Sequence, residues 1–403
     1  MSNKQKIAII IPQFPGQTHL FFWNEIKELE RMGAEVHLFS TRSPVKSLIA
    51  HDWSNAAAAR TTYLGLGGVS DKIEAILRLP GWLLELRKYG FGEGALKSAL
   101  VSAAAAIKLK KACSARGITH VHAHSAANCA MIAALCRLAG GPSYSITLHG
   151  PLVDYGPAQP FKWAHTQFGI MITKVLEKAF LKSLGSDAPE RLFLGPMGVD
   201  TEIYKPIGAY QPWNEKEPLR LFTCARLNIV KGHQTVVKAL ELLKASGVIA
   251  HLTIAGEDDE GGTGFRKELE QIIASSTVSD QVTLLGALDG AVVRKQLYSA
   301  HACVMASMHE PLGVAYMEAM ACGCPTIGTN AGGVAELINH GKDGLLVEPN
   351  NPRAIADEVL RLARDASLAQ TLSVAGRERI VNSFSSNRSA KVLLSAIEAD
   401  PPQ

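Results

Sequence analysis

The chain has 403 residues, of which 47% are hydrophobic and 19% charged, a composition typical of folded globular proteins that excludes extensive disorder. This length exceeds one ordinary hydrophobic core, so two domains of about 200 residues each are expected. The net charge of +4 is unevenly spread: residues 1–196 carry 22 basic and 13 acidic side chains, and the remainder carries 19 and 24.

The N-terminal sequence contains a short apolar run, IAIII, which is predicted to be a first β-strand. It is too short for the core of a signal peptide. No stretch of the chain approaches the ~18 uninterrupted apolar residues of a membrane-spanning helix. The seven scattered cysteines include no C-x-x-C pair, so we expect buried, reduced thiols. These features predict a cytoplasmic protein.

Apolar runs typical of strands alternate with helical runs through most of the chain, which is the pattern of parallel α/β domains. In the first half, strands are predicted at 6–11, 35–40, 120–125 and 143–150, with helices at 18–33 and around 126–139. In the second half, strands are predicted at 220–226, 250–256, 282–286, 302–307, 324–329 and 344–349, with helices between and after them. Both halves are therefore predicted to be doubly wound sheets.

The join between the two units is predicted in residues 195–206, where glycine and proline cluster between periodic stretches. We therefore predict an N-terminal domain at 1–196, a C-terminal domain at 197–384 and a last helical segment at 385–403. Ligands of doubly wound sheets bind at the carboxyl ends of the strands. Two facing units would place those ends around one interdomain cleft.

Residues 72–116 hold much of the positive excess of the first half, with nine basic side chains and three glutamates. A basic helical segment of this kind is predicted to lie on an anionic membrane surface, at the inner face of the cell membrane. The alternative interpretation is an ordinary solvated helix face.

The sequence EPLGVAYME places Glu310 and Glu318 eight residues apart. Pro311 disfavours helix at Glu310 and suits a first helical turn, so a helix is predicted to begin between Pro311 and Val314. Glu318 then lies inside the helix among apolar residues, where an unpaired carboxylate is costly. The helix start offers free N–H groups, and Gly313 permits close approach of an anion. Ordinary helix capping is the alternative for Glu310.

The sequence ARLNIVKGH places Arg226 at the end of a predicted strand and Lys231 just before a helix that begins near Gly232. Two cations beside a helix N-terminus are repelled by its dipole unless an anion lies among them. A bound diphosphate would remove that conflict. The alternative is a pair of surface residues that serve solubility.

Two further candidate positions lie where predicted strands end. Gly16, in PQFPGQTH, lies in a turn whose backbone could approach a phosphate or a sugar, although the G-x-G-x-x-G fingerprint is absent. His149 ends the strand SYSITLHG and is predicted to point towards the cleft. A plain β–α connection and a histidine packed at a strand end are the alternatives.

Three histidines, His120, His122 and His124, alternate along one predicted strand and therefore face one side of it. No carboxylate is nearby in sequence, so no metal site is expected there. The adjacent acids in GEDDEGG, residues 256–262, lack the D-x-D spacing of a metal-binding motif and are predicted to lie in a solvated loop.

The order of these features resembles glycosyltransferase family 4, whose members are retaining enzymes of the GT-B fold. The glycine loop, the histidine at a strand end, R-x4-K and E-x7-E are followed by AMACGCPTIGTNAGGVAELI and GKDGLLVEP. The resemblance is almost continuous from about residue 196 to 385. In the first half, HVHAHSA and EIKELERMGAEVHLFS are similar to bacterial exopolysaccharide and colanic-acid-type members.

The resemblance implies roles for the matched residues of the second half. Arg226 and Lys231 would bind the donor diphosphate. The distal phosphate would be cradled by the backbone amides near Leu312, Gly313 and Val314. The GT-B fold further implies that the C-terminal domain binds the donor, the N-terminal domain binds the acceptor, and the last helix crosses back to the first domain.

The resemblance also implies how the sugar end of the donor is held. Glu310 would hold hydroxyls of the transferred sugar, and Glu318 would hold those of the ribose. His149 would lie beside the anomeric carbon, and Gly16 near the phosphates and the acceptor. The sequence departs from the family at two points, because H-G-x-D becomes HGPLVD, which moves the aspartate to Asp154, and SETF becomes GQTHLFF.

The implied activity is retaining, metal-independent transfer of a hexose from a nucleotide diphosphate sugar, UDP-sugar or GDP-sugar, to a saccharide or lipid-linked acceptor. The context would be bacterial polysaccharide or glycolipid synthesis. No cofactor, metal or nucleic-acid partner is expected. The alternatives are a nucleotide-sugar epimerase of the same fold and a catalytically silent, membrane-associated module that binds nucleotide sugars.

Overall fold

The structure, a computed structural model, describes residues 4–16, 19–44, 53–90 and 92–399. The chain divides into two compact units. The first consists of residues 1–196 and 387–403, and the second of residues 197–386. Each unit contains one parallel sheet with intervening helices, which confirms the predicted pair of doubly wound units. The cleft expected between them stays a prediction.

Within its described residues, the first unit has a seven-stranded parallel sheet in the order β3-β2-β1-β4-β5-β6-β7. The strands are β1 (Lys6–Ile11), β2 (Glu35–Ser40), β3 (Thr61–Tyr63), β4 (His120–Ala123), β5 (Ser143–Leu148), β6 (Phe168–Met171) and β7 (Leu192–Leu194). The helices are α1 (Leu20–Arg31), α2 (Trp53–Arg60), α3 (Val69–Arg87), α4 (Glu93–Arg116), α5 (Asn128–Leu138), α6 (Gln159–Ala164) and α7 (Lys174–Leu184).

The second unit has a six-stranded parallel sheet among its described residues, in the order β10-β9-β8-β11-β12-β13. The strands are β8 (Leu219–Cys224), β9 (Ala250–Ala255), β10 (Val282–Leu284), β11 (Ala302–Val304), β12 (Thr326–Thr329) and β13 (Leu345–Val347). The helices are α8 (His233–Ala245), α9 (Phe265–Ser275), α10 (Gly290–Ser299), α11 (Val314–Ala321), α12 (Val334–Leu337), α13 (Pro352–Arg364) and α14 (Ala366–Ser383).

The predicted strands lie where the sequence indicated, and they include the three-residue strands β10, β11 and β13. Strands β1 and β2 have the predicted bounds. The buried β1 is a continuous apolar run, as is typical of a strand covered on both faces. Strands β3, β6 and β7 have only three or four residues each, too few to show any periodicity, and the sequence analysis did not predict them.

A last helix, α15 (Ser386–Glu398), follows α14 directly, and from Asn387 onwards it belongs to the first unit. Its apolar residues Leu393 and Ala396 are buried in one core cluster with Ile7 of β1 and Ile26 of α1. The cluster is therefore completed by residues from the two extremes of the chain.

Other expectations from composition can be compared with the structure. Six of the seven cysteines are buried, Cys224 is partly buried, and all are free thiols. Among the described residues, no helix is long and apolar enough to cross a bilayer. Much of the basic charge of 72–116 is compensated within the first unit. Four of its basic residues form ion pairs there: Arg78 and Lys110 with Glu74, Lys88 with Glu85, and Lys111 with Asp71.

The place of α15 in the first core leads to a stability prediction. Leu393→Ala should lower the free energy of unfolding of the first unit by about 2–5 kcal/mol, because it leaves a cavity in a packed core. Tryptophan fluorescence during urea unfolding measures it, since four of the five tryptophans lie in residues 1–196. Lys391→Ala, on the exposed side of α15, is the control and should change the value by less than about 0.5 kcal/mol.

Candidate functional site

The second sheet reverses its strand order between β8 and β11, which are neighbours in the sheet although β9 and β10 lie between them in sequence. Ligands of open parallel sheets bind outside the carboxyl ends of the strands at such a switch point. Arg226 and Lys231 follow β8, and Glu310 follows β11. The fold therefore brings these three predicted residues to the two sides of one switch point.

Lys231 and Glu310 form an ion pair across this switch point. The Nζ of Lys231 lies 2.5 Å from Oε2 of Glu310, and the two side chains are 17% and 15% exposed. The hydroxyl of Ser307 donates to the same carboxylate oxygen over 3.3 Å. Glu310 is therefore held by two donors in a partly buried position and does not act as a simple helix cap.

Close backbone packing makes this ion pair geometrically feasible. Gly232 has φ +71°, and a Cβ atom there would lie 2.0 Å from the carbonyl oxygen of Ala306. The N–H of Met308 donates to the carbonyl of Val230 over 2.8 Å, which joins the same two loops. Any side chain at position 232 would push the Lys231 turn away from the segment that carries Glu310.

The helix predicted between the two glutamates is α11, which begins at Val314 with Gly313 at φ +100° as the preceding residue. A Cβ atom on Gly313 would lie 2.5 Å from the ring of Tyr316, and one on Gly328 would lie 2.5 Å from another atom of the same ring. The buried Tyr316 hydroxyl donates to Met305 O over 3.2 Å. This ring fixes the helix start, whose first N–H groups have no intrahelical acceptor.

A loop for which the sequence analysis predicted no role also contacts Glu310. The N–H of Gly333 donates to the carbonyl oxygen of Glu310 over 2.9 Å. A Cβ atom on Gly332 would lie 2.2 Å from that same oxygen. The glycine pair in NAGG is the sequence signal that could have predicted this close approach.

Arg226 is nearly half exposed and lies 3.3 Å from Asp259, an exposed residue of the 256–262 loop. The prediction that this loop is solvated is wrong at Asp258, the residue before Asp259. Asp258 is buried and accepts backbone N–H bonds from Glu260, Gly262, Gly264 and Arg266. Although burial raises the pKa of Asp258, these bonds outweigh it and bring the pKa below its ordinary value.

Glu318 lies inside α11 as predicted, and it is partly buried. Burial raises the pKa of its carboxyl to about 7, although a hydrogen bond from Tyr204 and the charge of Arg294 act in the opposite direction. The guanidinium of Arg294 also lies over the Tyr204 ring, 5.5 Å from its centroid. Neither partner was predicted, because both are distant from Glu318 in sequence.

In the first unit, His149 follows β5 and is partly buried between aromatic rings. Its ring centroid lies 5.5 Å from Phe21 and 5.3 Å from Phe22. Burial, together with the charges of His124 and His19, holds the pKa of His149 well below its usual range. The imidazole is therefore neutral near pH 7. Its Nδ1 is buried and has no hydrogen-bond partner among the described residues.

Gly16 lies against the ring of His19, and a Cβ atom there would be 2.6 Å from Nδ1 of that ring. This packing is itself a reason for glycine at the position. Residues 17 and 18 of the same loop lie outside the described residues, so the approach of Gly16 to a phosphate stays a prediction. Asp154, by contrast, is exposed in a 3₁₀ turn after β5.

The three histidines in and directly after β4 do not share one environment. His120 and His122 both bond to Ser145 Oγ over 2.7 Å, and His122 also bonds to Thr147 over 2.9 Å. His124 instead lies 3.2 Å from the carboxylate of Glu25.

The carboxylate that the sequence did not place near these histidines is therefore supplied by α1. Among the described residues, Glu25, His122 and His124 form a group whose ligand atoms are close enough to surround a metal ion. Both nitrogens of His122, however, already bond to hydroxyls. His122 is therefore satisfied by hydrogen bonds, whereas Oε1 of Glu25 and Nε2 of His124 have no hydrogen-bond partner among the described residues.

A family model described as "Glycosyl transferases group 1" matches residues 210–379, which contain the whole switch-point site. The second unit carries a group 1 glycosyl transferase domain. This match confirms the resemblance predicted from R-x4-K, E-x7-E and the sequence that follows them.

Individual relatives cover different shares of the chain. N-acetyl-alpha-D-glucosaminyl L-malate synthase of Bacillus anthracis is 32% identical over 159 residues, 40% of either chain. For relatives at 28–32% identity, the chain spans about half of the relative's length, between 40% and 53%. The amylovoran biosynthesis glycosyltransferase AmsK of Erwinia amylovora is 24% identical over 420 residues, which cover 98% of this chain and 99% of AmsK.

The chain is also similar to solved structures over nearly its whole length. The Anabaena protein HepE in complex with UDP matches with a TM-score of 0.75 and 16% identity. The match covers 98% of this chain and 100% of HepE. At this identity the likeness shows the fold alone, which is that of glycosyltransferases with two parallel-sheet α/β domains.

The raised pKa of Glu318 gives a pH prediction. The folded state favours the protonated carboxyl, so the stabilisation is complete below the unfolded pKa of 4.5 and is lost as pH rises through about 7. Relative to Glu318→Gln, the wild-type free energy of unfolding should fall by about 1–3 kcal/mol between about pH 5 and 8. Urea unfolding across that range measures it. Parallel pH curves for the two proteins would contradict the prediction, and Glu268→Gln, at an exposed site on α9, is the control.

Proposed function

We propose that this chain is a retaining glycosyltransferase that moves a hexose from a nucleotide diphosphate sugar to a saccharide or lipid-linked acceptor, in bacterial polysaccharide or glycolipid synthesis. The observation that carries the proposal is the ion pair of Lys231 and Glu310 across the switch point of the second sheet, beside the start of α11. A UDP-sugar is favoured because HepE, which has this fold, is known in complex with UDP and with UDP-glucose. A GDP-sugar is the alternative.

The donor diphosphate would lie between Arg226, Lys231 and the N-terminus of α11. The lysine ammonium has three donors, so it can keep its bond to Glu310 while it binds a phosphate oxygen. The half-exposed guanidinium of Arg226 can exchange its contact with the exposed Asp259 for a stronger one with phosphate. Backbone amides near Leu312, Gly313 and Val314 would cradle the distal phosphate, at the positive end of the helix dipole. Gly16 of the first unit would approach the phosphates and the acceptor.

The two glutamates would hold the hydroxyl groups at the ends of the donor. Glu310, fixed by Lys231 and Ser307, would accept hydroxyls of the transferred sugar. Glu318 would accept the ribose hydroxyls in its ionised form. Hydrogen bonds from the ribose hydroxyls favour the charged form, so they would lower the pKa of Glu318 from its value of about 7.

The residues of this site support transfer without a metal ion. Arg226, Lys231 and the helix N-terminus would neutralise the charge that develops on the leaving phosphate. That phosphate oxygen would accept the proton of the acceptor hydroxyl on the same face of the sugar, which retains the configuration. Neither Glu310 nor Glu318 then needs to act as nucleophile or general base, in contrast to the carboxylate pairs of glycosidases. The neutral His149 would lie beside the anomeric carbon.

Two other functions use the same residues. A nucleotide-sugar epimerase of this fold would convert the donor without any acceptor, so product formed in the absence of acceptor distinguishes it. A catalytically silent module would bind nucleotide sugar without turnover. The partly buried Lys231 and Glu310 pair, aligned with the start of α11, is better explained by the transferase than by the silent module.

The transferase proposal predicts the effect of removing Glu310, which would bind the sugar, or Arg226, which would bind the diphosphate. Glu310→Ala and Arg226→Ala should each lower the rate of sugar transfer by about 100-fold or more, because each removes a charged group from the reacting end of the donor. Release of nucleoside diphosphate in the presence of acceptor measures this rate. Glu268→Ala, on the exposed face of α9, should retain wild-type activity. Wild-type rates in both site variants would contradict the assignment.

The proposal includes a peripheral position on an anionic membrane surface, where lipid-linked acceptors reside. Because much of the charge of 72–116 is paired, the apolar side chains of α3 carry this part of the proposal. Their spacing places them along one helix face, and they are 56–77% exposed: Val69, Ile73, Ile76, Leu77 and Leu84. The exposed basic residues Lys72, Arg87 and Lys97 lie on α3 and α4. An apolar face with basic residues near it is typical of helices that lie in a membrane interface.

Flotation with vesicles that contain anionic phospholipid tests this position. Replacement of Ile76 and Leu77 together by Glu should weaken binding at least about tenfold, since each side chain would lose the free energy of burial in lipid. Val374→Glu, at an exposed apolar site on α14, is the matched control and should bind as the wild type does. Wild-type protein that shows no salt-sensitive binding would contradict the membrane position.

A further inference from the structure

A line of polar groups in close contact runs through the first unit and ends at His149. Ser389 of α15 donates to Oε2 of Glu25 in α1. Oε1 of Glu25 lies 3.2 Å from Nε2 of His124, which directly follows β4. Nδ1 of His124 lies 3.3 Å from Nε2 of His149, which directly follows β5. The line therefore joins four elements that are distant in sequence.

Aromatic packing shelters this line from water. Glu25 is 9% exposed and His124 is 3% exposed. The ring of Phe22 lies 4.6 Å from the His124 ring and 5.3 Å from the His149 ring, measured between centroids. In such surroundings each polar group depends on its protein partner, because an unpaired buried group is costly.

The chemistry of these groups determines which ring nitrogens of His124 and His149 carry protons. Oε1 of Glu25 and Nε2 of His124 make a 3.2 Å contact that lacks hydrogen-bond geometry. A carboxylate at this distance repels a lone pair on Nε2 and so favours the tautomer of His124 with its proton there. Nδ1 of His124 and Nε2 of His149 then share one proton between them. This leaves Nδ1 of His149 as the ring atom without a partner among the described residues. A carboxylate that holds one imidazole in a single tautomer is a known means of fixing the orientation of a ring.

The other titratable groups that face this line do not compete for its proton. His122 is bonded at both nitrogens to hydroxyls. Burial lowers the pKa of His19 to about 4 and the pKa of His120 to about 3, so both are neutral near pH 7.

We propose that Glu25 and His124 are positioning residues for His149, which hold its ring in one orientation and one tautomer and leave Nδ1 as the atom offered to the reacting sugar. This inference rests on the proposed function, because it gives His149 a task at the donor sugar. Nothing in the roles of Arg226 and Glu310 requires it.

The kinetic test compares Glu25→Gln with the wild type in the full-length protein. Glu25→Gln should lower kcat of sugar transfer by about tenfold or more, with KM for the donor changed little, because the ring is misplaced while the donor grip in the second unit is intact. Glu25→Asp should retain more activity than Glu25→Gln. Asn24→Ala, which removes a buried side chain from the neighbouring position of α1, should change stability and leave kcat near the wild-type value.

A spectroscopic test measures the tautomers of His124 and His149 and does not depend on enzyme activity. Protein labelled with ¹⁵N-histidine reports by NMR which ring nitrogen of each histidine carries the proton. The signals of His149 are assigned by their loss in His149→Gln. Glu25→Gln should change the nitrogen shifts of both His124 and His149, and Asn24→Ala should leave them unchanged.

The inference is wrong if folded Glu25→Gln keeps the wild-type tautomer of His149 and the wild-type kcat. It is also wrong if the purified protein carries a stoichiometric divalent metal that Glu25→Gln loses, since Glu25 and His124 would then be ligands. A wild type that transfers no sugar overturns the proposed function. In that case the NMR comparison still decides whether Glu25 and His124 orient His149.

Discussion

The ion pair of Lys231 and Glu310 is the interaction on which the second unit's site depends, because it connects the loop after β8 with the loop after β11. These strands are neighbours in the sheet, and the chain continues from them towards opposite edges of it. It requires the backbone of Gly232 to touch that of Ala306, which no other residue type permits. Glu310 is then held at its side chain by Lys231 and at its carbonyl by Gly333. A glutamate that is held at both its side chain and its backbone is already in position before a ligand binds. The entropy cost of binding is lower as a result.

The two units use one sheet architecture for different electrostatic purposes. At the switch point of the second sheet, permanent cations and a helix N-terminus create an environment suited to an anion. At the carboxyl ends of β4 and β5 in the first sheet, buried imidazoles such as His122 and His149 are kept neutral. Neutral rings can donate and accept hydrogen bonds without attracting phosphate. The permanent cations therefore lie at the switch point of the second sheet, and the neutral imidazoles lie in the first unit.

The sequence was sufficient for the fold class, the long strands and the residues of the switch point, because each of these depends on local periodicity or on a motif such as E-x7-E. It was insufficient where distant segments meet. Glu25 lies almost one hundred residues before His124, and only the packing of α1 brings their side chains together. The pairing of Lys110 and Lys111 with acids of α3 likewise depends on how two helices pack, so a count of charges overstated the basic surface.

The position of α15 bears on how the protein is made. The first unit lacks part of its hydrophobic core until Leu393 and its neighbours have left the ribosome, whereas residues 197–386 are complete earlier. Domains generally fold as units during synthesis, in order of appearance. Here the unit that begins first is expected to finish last. Until α15 has left the ribosome, the apolar surface of β1 and α1 that it covers stays open to chaperones.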